Sequence, residues 1–320
     1  MGSKVRWGIL GYARIAKTSV IPGILKSENA ELYAIASGDE EKRQEVRDTY
    51  AGTKVYEGYE QLLDDPQVQA VYIPLPNSMH KEWAIAAMNR GKHVLCEKPI
   101  ALNSAECGEM IEAAENNGVY LMEAFMYRYT DRVRKLQELV RSGEIGEIRY
   151  IHSAFRFLLN RPGTIKMQPG LGGGSLYDVG SYPVNFIGMI TGETPESCVS
   201  QSVLENGVDV LFSAVLKYKS GIVATINSGF NAFGQMNSEI VGTKGRIEIP
   251  DTFLGTAGKI TVVTEEGSRQ IDVAESDRYT LEVADFSAAV LEGRPPLFPL
   301  EETRRNMQVL DMLLASVKPV

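Results

Sequence analysis

Two glycines near the start of the chain stand where main-chain N–H groups could bind a pyrophosphate. The apolar run of residues 5–10 leads through Gly8 to Gly11, and Tyr12-Ala13-Arg14-Ile15 then opens a helix-like segment. A strand that turns at such glycines into a helix brings the backbone close to a phosphate and offers it N–H donors. Ala13 stands where this pattern usually has glycine, and its methyl group fits only at negative φ. The turn predicts a dinucleotide site; the alternative is a turn that merely joins strand to helix.

The residues after the second apolar run bear on the ribose of such a dinucleotide. That run ends near Ser37, where NAD-selective proteins place a carboxylate that binds the ribose 2′-hydroxyl. Here a serine hydroxyl is followed, one helical turn later, by Lys42 and Arg43, which suit a 2′-phosphate. Asp39 leaves the alternative open, because it could bind a 2′-hydroxyl or simply favour a helix start. We therefore expect NADP(H), with NAD(H) as the alternative.

Two later segments should reach the nicotinamide half of the same cleft. Leu75-Pro76-Asn77 and His80 follow one apolar run, and Glu97-Lys98-Pro99 follows the next. Ligands of open parallel sheets bind beyond the carboxyl ends of the strands, which is where both segments begin. Pro99 favours an extended backbone at Lys98.

The elements that position these residues alternate between strand-like and helix-like patterns in the first third of the chain. Ile15–Leu25 has helical spacing that Pro22 interrupts. Asn103 begins a capping-box-like motif, and the helix that follows it should stop at Gly118. Strands that alternate with helices of this length predict βαβ units on a parallel sheet.

The pattern changes beyond about residue 129. Thr130 should cap a helix that stops at Gly143, and short strands joined by glycine-containing turns then dominate. The predicted hairpins cover residues 209–230, 238–250 and 259–273. We expect an α/β protein with a doubly wound Rossmann domain over residues 1–124. An α+β domain with a large open, mostly antiparallel sheet should follow over residues 125–320, and its last helices could pack back on the first domain.

Composition narrows the class of protein. The 320 residues carry a net charge of −8, which argues against broad binding to nucleic acid or to anionic membranes. No apolar stretch approaches the roughly 20 residues needed to span a bilayer. Only three cysteines and three histidines are present, which disfavours a disulfide framework or a metal centre. We expect a cytoplasmic protein without a metal.

The chain resembles the Gfo/Idh/MocA family of pyridine-nucleotide oxidoreductases over nearly its whole length. The motifs that carry the resemblance are WGILGYARIA, PLPNSMH, GKHVLCEKP, EAFMYRY and GGGSLYDVGSYPVNF, and Glu97-Lys98-Pro99 is the most family-specific among them. The resemblance implies bound NAD(P)(H), hydride transfer at a sugar, polyol or related diol, and a second-domain sheet used for oligomerisation. A homodimer or homotetramer is therefore expected. It also implies that the following residues touch the cofactor: Gly8, Gly11, Arg14, Ile15, Ser37, Pro76, Asn77, His80, Glu97 and Lys98. Their neighbours Ala13, Lys42 and Leu75 are expected to contact the cofactor as well.

The second signature of the family usually reads Asp-x-Gly-x-His, whereas this chain has Asp178-Val-Gly-Ser-Tyr182. The tyrosine variant resembles the branch that contains glucose–fructose oxidoreductase, NADP-dependent xylose dehydrogenase and dihydrodiol dehydrogenase. Residues four apart share one face of a helix, although Pro183 could disturb it. Hydride transfer at a carbinol also requires a proton to move, and a nearby ammonium would lower a tyrosine pKa towards neutrality. We expect Tyr182 to be the acid/base, Lys98 to tune its pKa and Asp178 to orient the substrate. The alternative is that Tyr182 only packs, Lys98 is a surface charge and Asp178 is a local cap.

Substrate contacts are expected from the segment that precedes the glycine run at 172–174. The candidates are Phe155, Arg156, Asn160, Arg161 and Lys166, each of which could equally be a structural or solvated side chain. Arg128 could approach the nicotinamide or pair with Glu123. Two alternatives remain: a trans-dihydrodiol dehydrogenase, which would need a more apolar pocket, and a non-catalytic dinucleotide sensor.

Overall fold

The computed structural model describes residues 3–161 and 163–317, which form two units. The first unit comprises the described residues up to Met126 together with Asp277–Thr303, and the second comprises Tyr127–Ser276 and the described residues from Arg304 onwards. No helix of the described part of the chain is long and apolar enough to cross a membrane.

The first unit contains a parallel sheet of six strands in the order β3-β2-β1-β4-β5-β6. This is the order of a doubly wound dinucleotide-binding sheet, in which the carboxyl ends of β1 and β4 flank the ligand crevice. The predicted fold of this part is confirmed. The strands are β1 (Val5–Leu10), β2 (Ala30–Ala36), β3 (Lys54–Tyr56), β4 (Ala70–Ile73), β5 (His93–Glu97) and β6 (Leu121–Ala124).

The second unit contains a mixed, mostly antiparallel sheet in the order β15-β14-β13-β12-β7-β10-β9-β8, and β11 also pairs with β7. The three predicted hairpins are confirmed as the pairs β9–β10, β12–β13 and β14–β15, whereas β7 and β10 run parallel. The strands are β7 (Ile148–Leu158), β8 (Ser197–Glu205), β9 (Val208–Lys217), β10 (Val223–Gly229), β11 (Asn231–Gln235), β12 (Ser238–Gly242), β13 (Gly245–Ile249), β14 (Gly258–Thr264) and β15 (Gly267–Val273).

The helices begin and end largely where local signals predict. Asn103 accepts a hydrogen bond from the Glu106 N–H at 2.9 Å, and Thr130 caps its helix in the same way. The predicted stops at Gly118 and Gly143 both adopt left-handed φ. The helices are α1 (Ile21–Lys26), α2 (Glu40–Thr49), α3 (Tyr59–Leu63), α4 (His80–Met88), α5 (Ser104–Asn117), α6 (Asp131–Ser142), α7 (Ser181–Thr191), α8 (Arg278–Glu292) and α9 (Leu300–Ala315).

Pro22 and Pro183 each lie in a helix that follows a glycine motif, and neither interrupts its helix. For Pro22 this is contrary to expectation. A π-helical turn at Ala16–Val20 leads into α1, and another at Leu176–Gly180 leads into α7, which contains Pro183. A proline lacks an N–H and crowds the carbonyl four residues earlier. A wider turn just before the proline relieves this crowding and keeps the helix continuous.

The two faces of β7 have different surroundings. Ile151, Ser153 and Phe155 are buried on the face that packs against α7 and the π turn before it, whereas His152 and Arg156 lie on the opposite face and are only half-buried. Side chains alternate along a strand, so this division follows directly from the register. The face that carries Phe155 is the one that meets Tyr182.

Candidate functional site

The turn after β1 combines a glycine of left-handed φ with the start of a helix. Gly11 has a φ of +94°, and a β-carbon there would lie only 2.9 Å from Leu75 Cδ2. Ala13 does not have positive φ: among the described residues, the non-glycine positions with positive φ are Asn206 and Asp251. Its backbone therefore accommodates the methyl group. The helix begins at Arg14, and N–H groups in a first helical turn have no intrahelical acceptor. The turn can therefore donate to an anionic ligand.

The end of β2 has an arginine, itself paired with Glu40, beside a buried hydroxyl. Ser37 is buried, and Arg43, which is 8% exposed, donates from Nη1 to the Ser37 carbonyl at 2.7 Å. Asp39 accepts from the Lys42 N–H at 3.2 Å and thereby caps α2, the structural alternative considered for it. The Lys42 side chain is exposed. The sequence pointed to Lys42 and Arg43 together, and of the two it is Arg43 that is fixed against the strand end.

The His80 side chain is enclosed by protein, whereas a cofactor contact was expected of it; that contact stays a prediction. Its side chain is fully buried, with Nδ1 2.9 Å from the Pro99 carbonyl oxygen and Nε2 2.8 Å from the Leu75 carbonyl oxygen. Burial lowers the His80 pKa, and a neutral imidazole donates to only one of these carbonyls. His80 instead joins the two segments that carry Asn77 and Lys98. A histidine flanked by apolar residues gives no sequence signal that separates a ligand contact from an internal bridge.

The carboxyl end of β5 presents Glu97 and Lys98, both half-buried. The buried Tyr72 hydroxyl donates to Glu97 Oε1 at 2.5 Å, and the Lys98 N–H donates to Glu97 Oε2 at 3.3 Å. The Lys98–Pro99 peptide is cis. Because β1, β4 and β5 are neighbours, their ends bring Gly11, the 75–77 segment and Lys98 to one edge of the sheet.

In the second unit, Tyr182 lies in an aromatic cluster and is 6% exposed. Its ring centroid is 5.3 Å from those of Phe155 and Phe253 and 5.9 Å from that of Tyr127. The rings are tilted by 51–56° relative to Tyr182, an arrangement that favours edge-to-face attraction. Tyr127 and Phe253 were missed by sequence reasoning. Tyr127 lies in a quoted motif, whereas Phe253 is far away in sequence and carries no local signal.

Asp178 lies on the same continuous helix as Tyr182 and pairs with Lys166. The Lys166 ammonium is also 5.5 Å from the ring centroid of Phe157 and 5.9 Å from that of Phe230. A cation near aromatic faces and beside a carboxylate is doubly stabilised. Two residues predicted for different roles are therefore neighbours.

The glycine run at 172–174 explains how the Lys166 segment reaches this helix. A β-carbon at Gly173 would lie 2.6 Å from the Lys166 carbonyl oxygen, and one at Gly174 would lie against the Asp209 carboxylate. Asp209 in turn accepts from the Leu176 N–H at 2.8 Å. These glycines allow close backbone packing.

The other substrate candidates do not gather around Tyr182. Arg156 points to the opposite face of β7, where it donates to Asn227 at 3.0 Å and also to Gln235; residues of alternate parity on a strand cannot share a face. Asn160 and Arg161 are exposed.

Arg128, which was expected near the nicotinamide or Glu123, donates to Asn185 Oδ1 at 3.3 Å. Asn185 is buried, lies three residues after Tyr182 and also accepts from the Tyr127 hydroxyl. The spacing from Tyr182 could have identified Asn185.

The first unit fits a phosphorylated dinucleotide: it has a glycine turn, a helix start and a guanidinium beside Ser37. Two family models match the chain. One is described as "Oxidoreductase family, NAD-binding Rossmann fold" and matches residues 5–125; the other, the GFO/IDH/MocA C-terminal domain, matches residues 133–248. The chain belongs to the Gfo/Idh/MocA family. The resemblance seen in the motifs is confirmed, and the protein is an oxidoreductase.

Members of the Gfo/Idh/MocA family with known activities resemble this oxidoreductase closely. D-xylose 1-dehydrogenase (NADP(+)) 2 of Haloferax volcanii is 37% identical, with 98% of this chain and 97% of that protein covered. Trans-1,2-dihydrobenzene-1,2-diol dehydrogenase of Xenopus laevis is 34% identical over 77% of this chain and 75% of its own length. A 3-ketoreductase from Actinomadura kijaniata, solved with NADP and TDP-benzene, is 28% identical and superposes with a TM-score of 0.93, covering 99% and 98% of the two chains. The expectation of NADP agrees with two of these names.

The same 3-ketoreductase has also been solved with a lysine or a tyrosine replaced. In that chain the two replaced residues are separated by the same number of residues as Lys98 and Tyr182 are here.

Proposed function

We propose that this oxidoreductase transfers a hydride between NADP(H) and a carbinol or carbonyl carbon of a sugar, polyol or related diol. The observation that carries the proposal is the helix that presents Asp178, paired with Lys166, one turn before Tyr182. A carboxylate, an ammonium and a phenol near one another can orient several hydroxyls and exchange a proton with one of them. The first domain would bind the dinucleotide and the second domain the substrate.

The chain's own residues divide the task of holding the cofactor. The N–H groups after Gly11 would bind the pyrophosphate, and Ser37 with the Arg43 and Lys42 cations would bind a ribose phosphate. Pro76, Asn77, Glu97 and Lys98 lie at neighbouring strand ends and would face the nicotinamide ribose. When bound, the nicotinamide donates or accepts the hydride.

The proton is handled by the protein. Tyr182 would take the proton from the substrate hydroxyl during oxidation and return it during reduction. Lys98 would hydrogen-bond the same oxygen, and its positive charge would favour the ionised phenol and the developing alkoxide. Asp178 would accept a hydrogen bond from a neighbouring substrate hydroxyl. The lysine and tyrosine replaced in the 3-ketoreductase support these two assignments by their matching separation.

The first experiment titrates NADPH and NADH separately by energy transfer from the protein's tryptophans. The second measures turnover of D-xylose, D-glucose and trans-1,2-dihydrobenzene-1,2-diol with NADP+. Tyr182→Phe should lower kcat by about 10²–10⁴-fold and leave the NADPH Kd unchanged. Tyr218→Phe, at a buried tyrosine elsewhere in the second unit, is the control. Tight cofactor binding with no turnover on any carbinol would favour a dinucleotide sensor instead.

A specific observation favours the dihydrodiol as a second candidate substrate. Of the polar cluster Arg156–Asn160–Lys166 that would suit a sugar, only Lys166 lies beside Asp178, and it is surrounded by Phe157 and Phe230. An aromatic surface can bind a flat ring as well as a pyranose face. A higher kcat/KM for the dihydrodiol than for D-xylose would select this candidate.

We further propose that the protein is a homodimer or homotetramer. Its interface would be the face of the second sheet opposite to the one that packs against α7. Val199, Val203 and Val215 are about half exposed there, on the same face as His152 and Arg156. An apolar patch on an otherwise polar sheet face is typical of an interface. Light scattering should report two or four chains, and Val215→Lys should shift it towards one.

A further inference from the structure

A buried arginine of the second unit holds one loop by its main chain. Arg132 is 2% exposed and lies in the first turn of α6. Its Nη1 donates to the carbonyls of Pro250 and, at 3.1 Å, Asp251, and its Nη2 donates to the carbonyl of Ala257. A charge removed from water needs such compensation, so the guanidinium and residues 250–257, here called the Arg132 loop, depend on each other.

Two glycines make room for the guanidinium. A β-carbon at Gly255 would lie 2.9 Å from Arg132 Nη1, and one at Gly258, whose φ is +137°, would lie 2.6 Å from Nη2. The loop is also fixed to the sheet, because Thr252 donates from its N–H to the Met236 carbonyl at 2.6 Å. The main chain of the Arg132 loop is therefore held at several points.

The loop inserts one aromatic side chain against Tyr182. Phe253 is fully buried; its ring is stacked on Phe155 at 5.6 Å and meets Tyr127 edge-on at 5.2 Å. Its centroid is 5.3 Å from that of Tyr182. Helix α7 fixes the Tyr182 backbone, but the direction of a side chain that leaves a helix is set by its neighbours. Phe253, Phe155 and Tyr127 enclose the ring.

We infer that Arg132 and Phe253 are positioning residues for Tyr182: the arginine fixes the loop, and the loop holds Phe253 against the tyrosine ring. The inference rests on the proposed role of Tyr182. Neither residue needs to touch substrate or cofactor. A displacement of an acid/base by a fraction of an ångström lowers the rate steeply, because the proton must move along a short hydrogen bond.

The decisive experiment is a cycle of Phe253→Leu and Tyr182→Phe, assayed with NADP+ and whichever of D-xylose, D-glucose and the dihydrodiol turns over fastest. Phe253→Leu should lower kcat about tenfold with an unchanged NADPH Kd, and it should add little to Tyr182→Phe. Phe212→Leu removes the same atoms from another buried site of the second unit, so it should cost similar thermal stability but leave kcat within about twofold.

A second variant tests the loop. Arg132→Lys keeps the charge but loses the planar fork, so amide hydrogen exchange in residues 250–257 should accelerate and kcat should fall in parallel. If Phe253→Leu lowers kcat equally in the parent and in Tyr182→Phe, or does not lower it at all, the inference is overturned and the proposed function stays intact. If Tyr182→Phe itself retains full kcat, the proposed role of Tyr182 fails and the inference fails with it.

Discussion

Lys166 and Asp178 form an ion pair, and the helix that carries Asp178 presents Tyr182 one turn later. The side chains are 33% and 19% exposed, so the pair is accessible to a substrate. Lys166 precedes the glycine run and Asp178 follows it. The run allows the two backbones to approach, and it thereby brings opposite charges together without a long loop.

The first prediction concerns this pair. Asp178→Asn and Lys166→Met should each raise the KM for the sugar or diol, because each leaves its partner uncompensated. Their effects should be non-additive, with a coupling of about 1 kcal/mol in kcat/KM. Steady-state kinetics of the four proteins provides the measurement. Fully additive losses would show that the two side chains act separately.

The second prediction uses two glycines with similar backbones. Gly11 has φ +94° and Gly52 has φ +88°, but only at Gly11 would a β-carbon meet a neighbour. Gly52→Ala should lose about 1 kcal/mol of unfolding free energy from backbone strain, and Gly11→Ala should lose more because its β-carbon also meets Leu75. Only Gly11→Ala should also weaken NADPH binding, by tenfold or more, in a fluorescence titration. Equal NADPH affinity for both variants would place the pyrophosphate elsewhere.

The third prediction tests the ribose end of the cofactor. Gly38 follows Ser37 and lacks positive φ, and a β-carbon there would have no neighbouring atom within 4 Å. Gly38→Arg should be accommodated, and its guanidinium should tighten NADPH about tenfold without tightening NADH. Gly108→Arg, at another open glycine, controls for general charge. Equal gains for both nucleotides would mean that this strand end does not face a 2′-phosphate.

The fourth prediction concerns pH. Burial lowers the pKa of His80 below its ordinary value near 6.5, so at mildly acidic pH the unfolded chain binds a proton that the folded chain does not. Stability should therefore be complete above about pH 6.5 and decline as the pH falls towards 5.5, by at most about 1.4 kcal/mol per pH unit from this group. Burial lowers the pKa values of His93 and His152 as well, which adds to the same trend.

His80→Gln isolates the contribution of His80. The variant should be less stable at pH 7.5, because the amide does not reproduce the packing of the fully buried ring, but its stability should depend less on pH. Urea unfolding of the variant and the parent at pH 7.5 and 5.5 measures both effects. If the stability of the variant changed with pH as steeply as that of the parent, His80 would titrate in the same way in the folded and unfolded chains.

Local signals in the sequence were sufficient wherever the physics is local. Helix caps at Asn103 and Thr130 and stops at Gly118 and Gly143 depend on residues three or four positions apart, so their positions could be predicted. Hairpins such as β9–β10 and the glycine turn at Gly11 depend on a few neighbouring residues in the same way. The family motifs then identified the class of cofactor and reaction.

What the sequence could not determine depends on partners far away along the chain. The face of β7 to which Arg156 belongs followed from register, and the burial of His80 followed from two carbonyls that converge only in the folded chain. Phe253 reaches Tyr182 because a loop held by Arg132 crosses from another part of the sheet. Sequence alone thus determined the kind of chemistry and the local elements. Tertiary packing decided which side chains meet, because contact between distant residues depends on the whole arrangement of strands and helices.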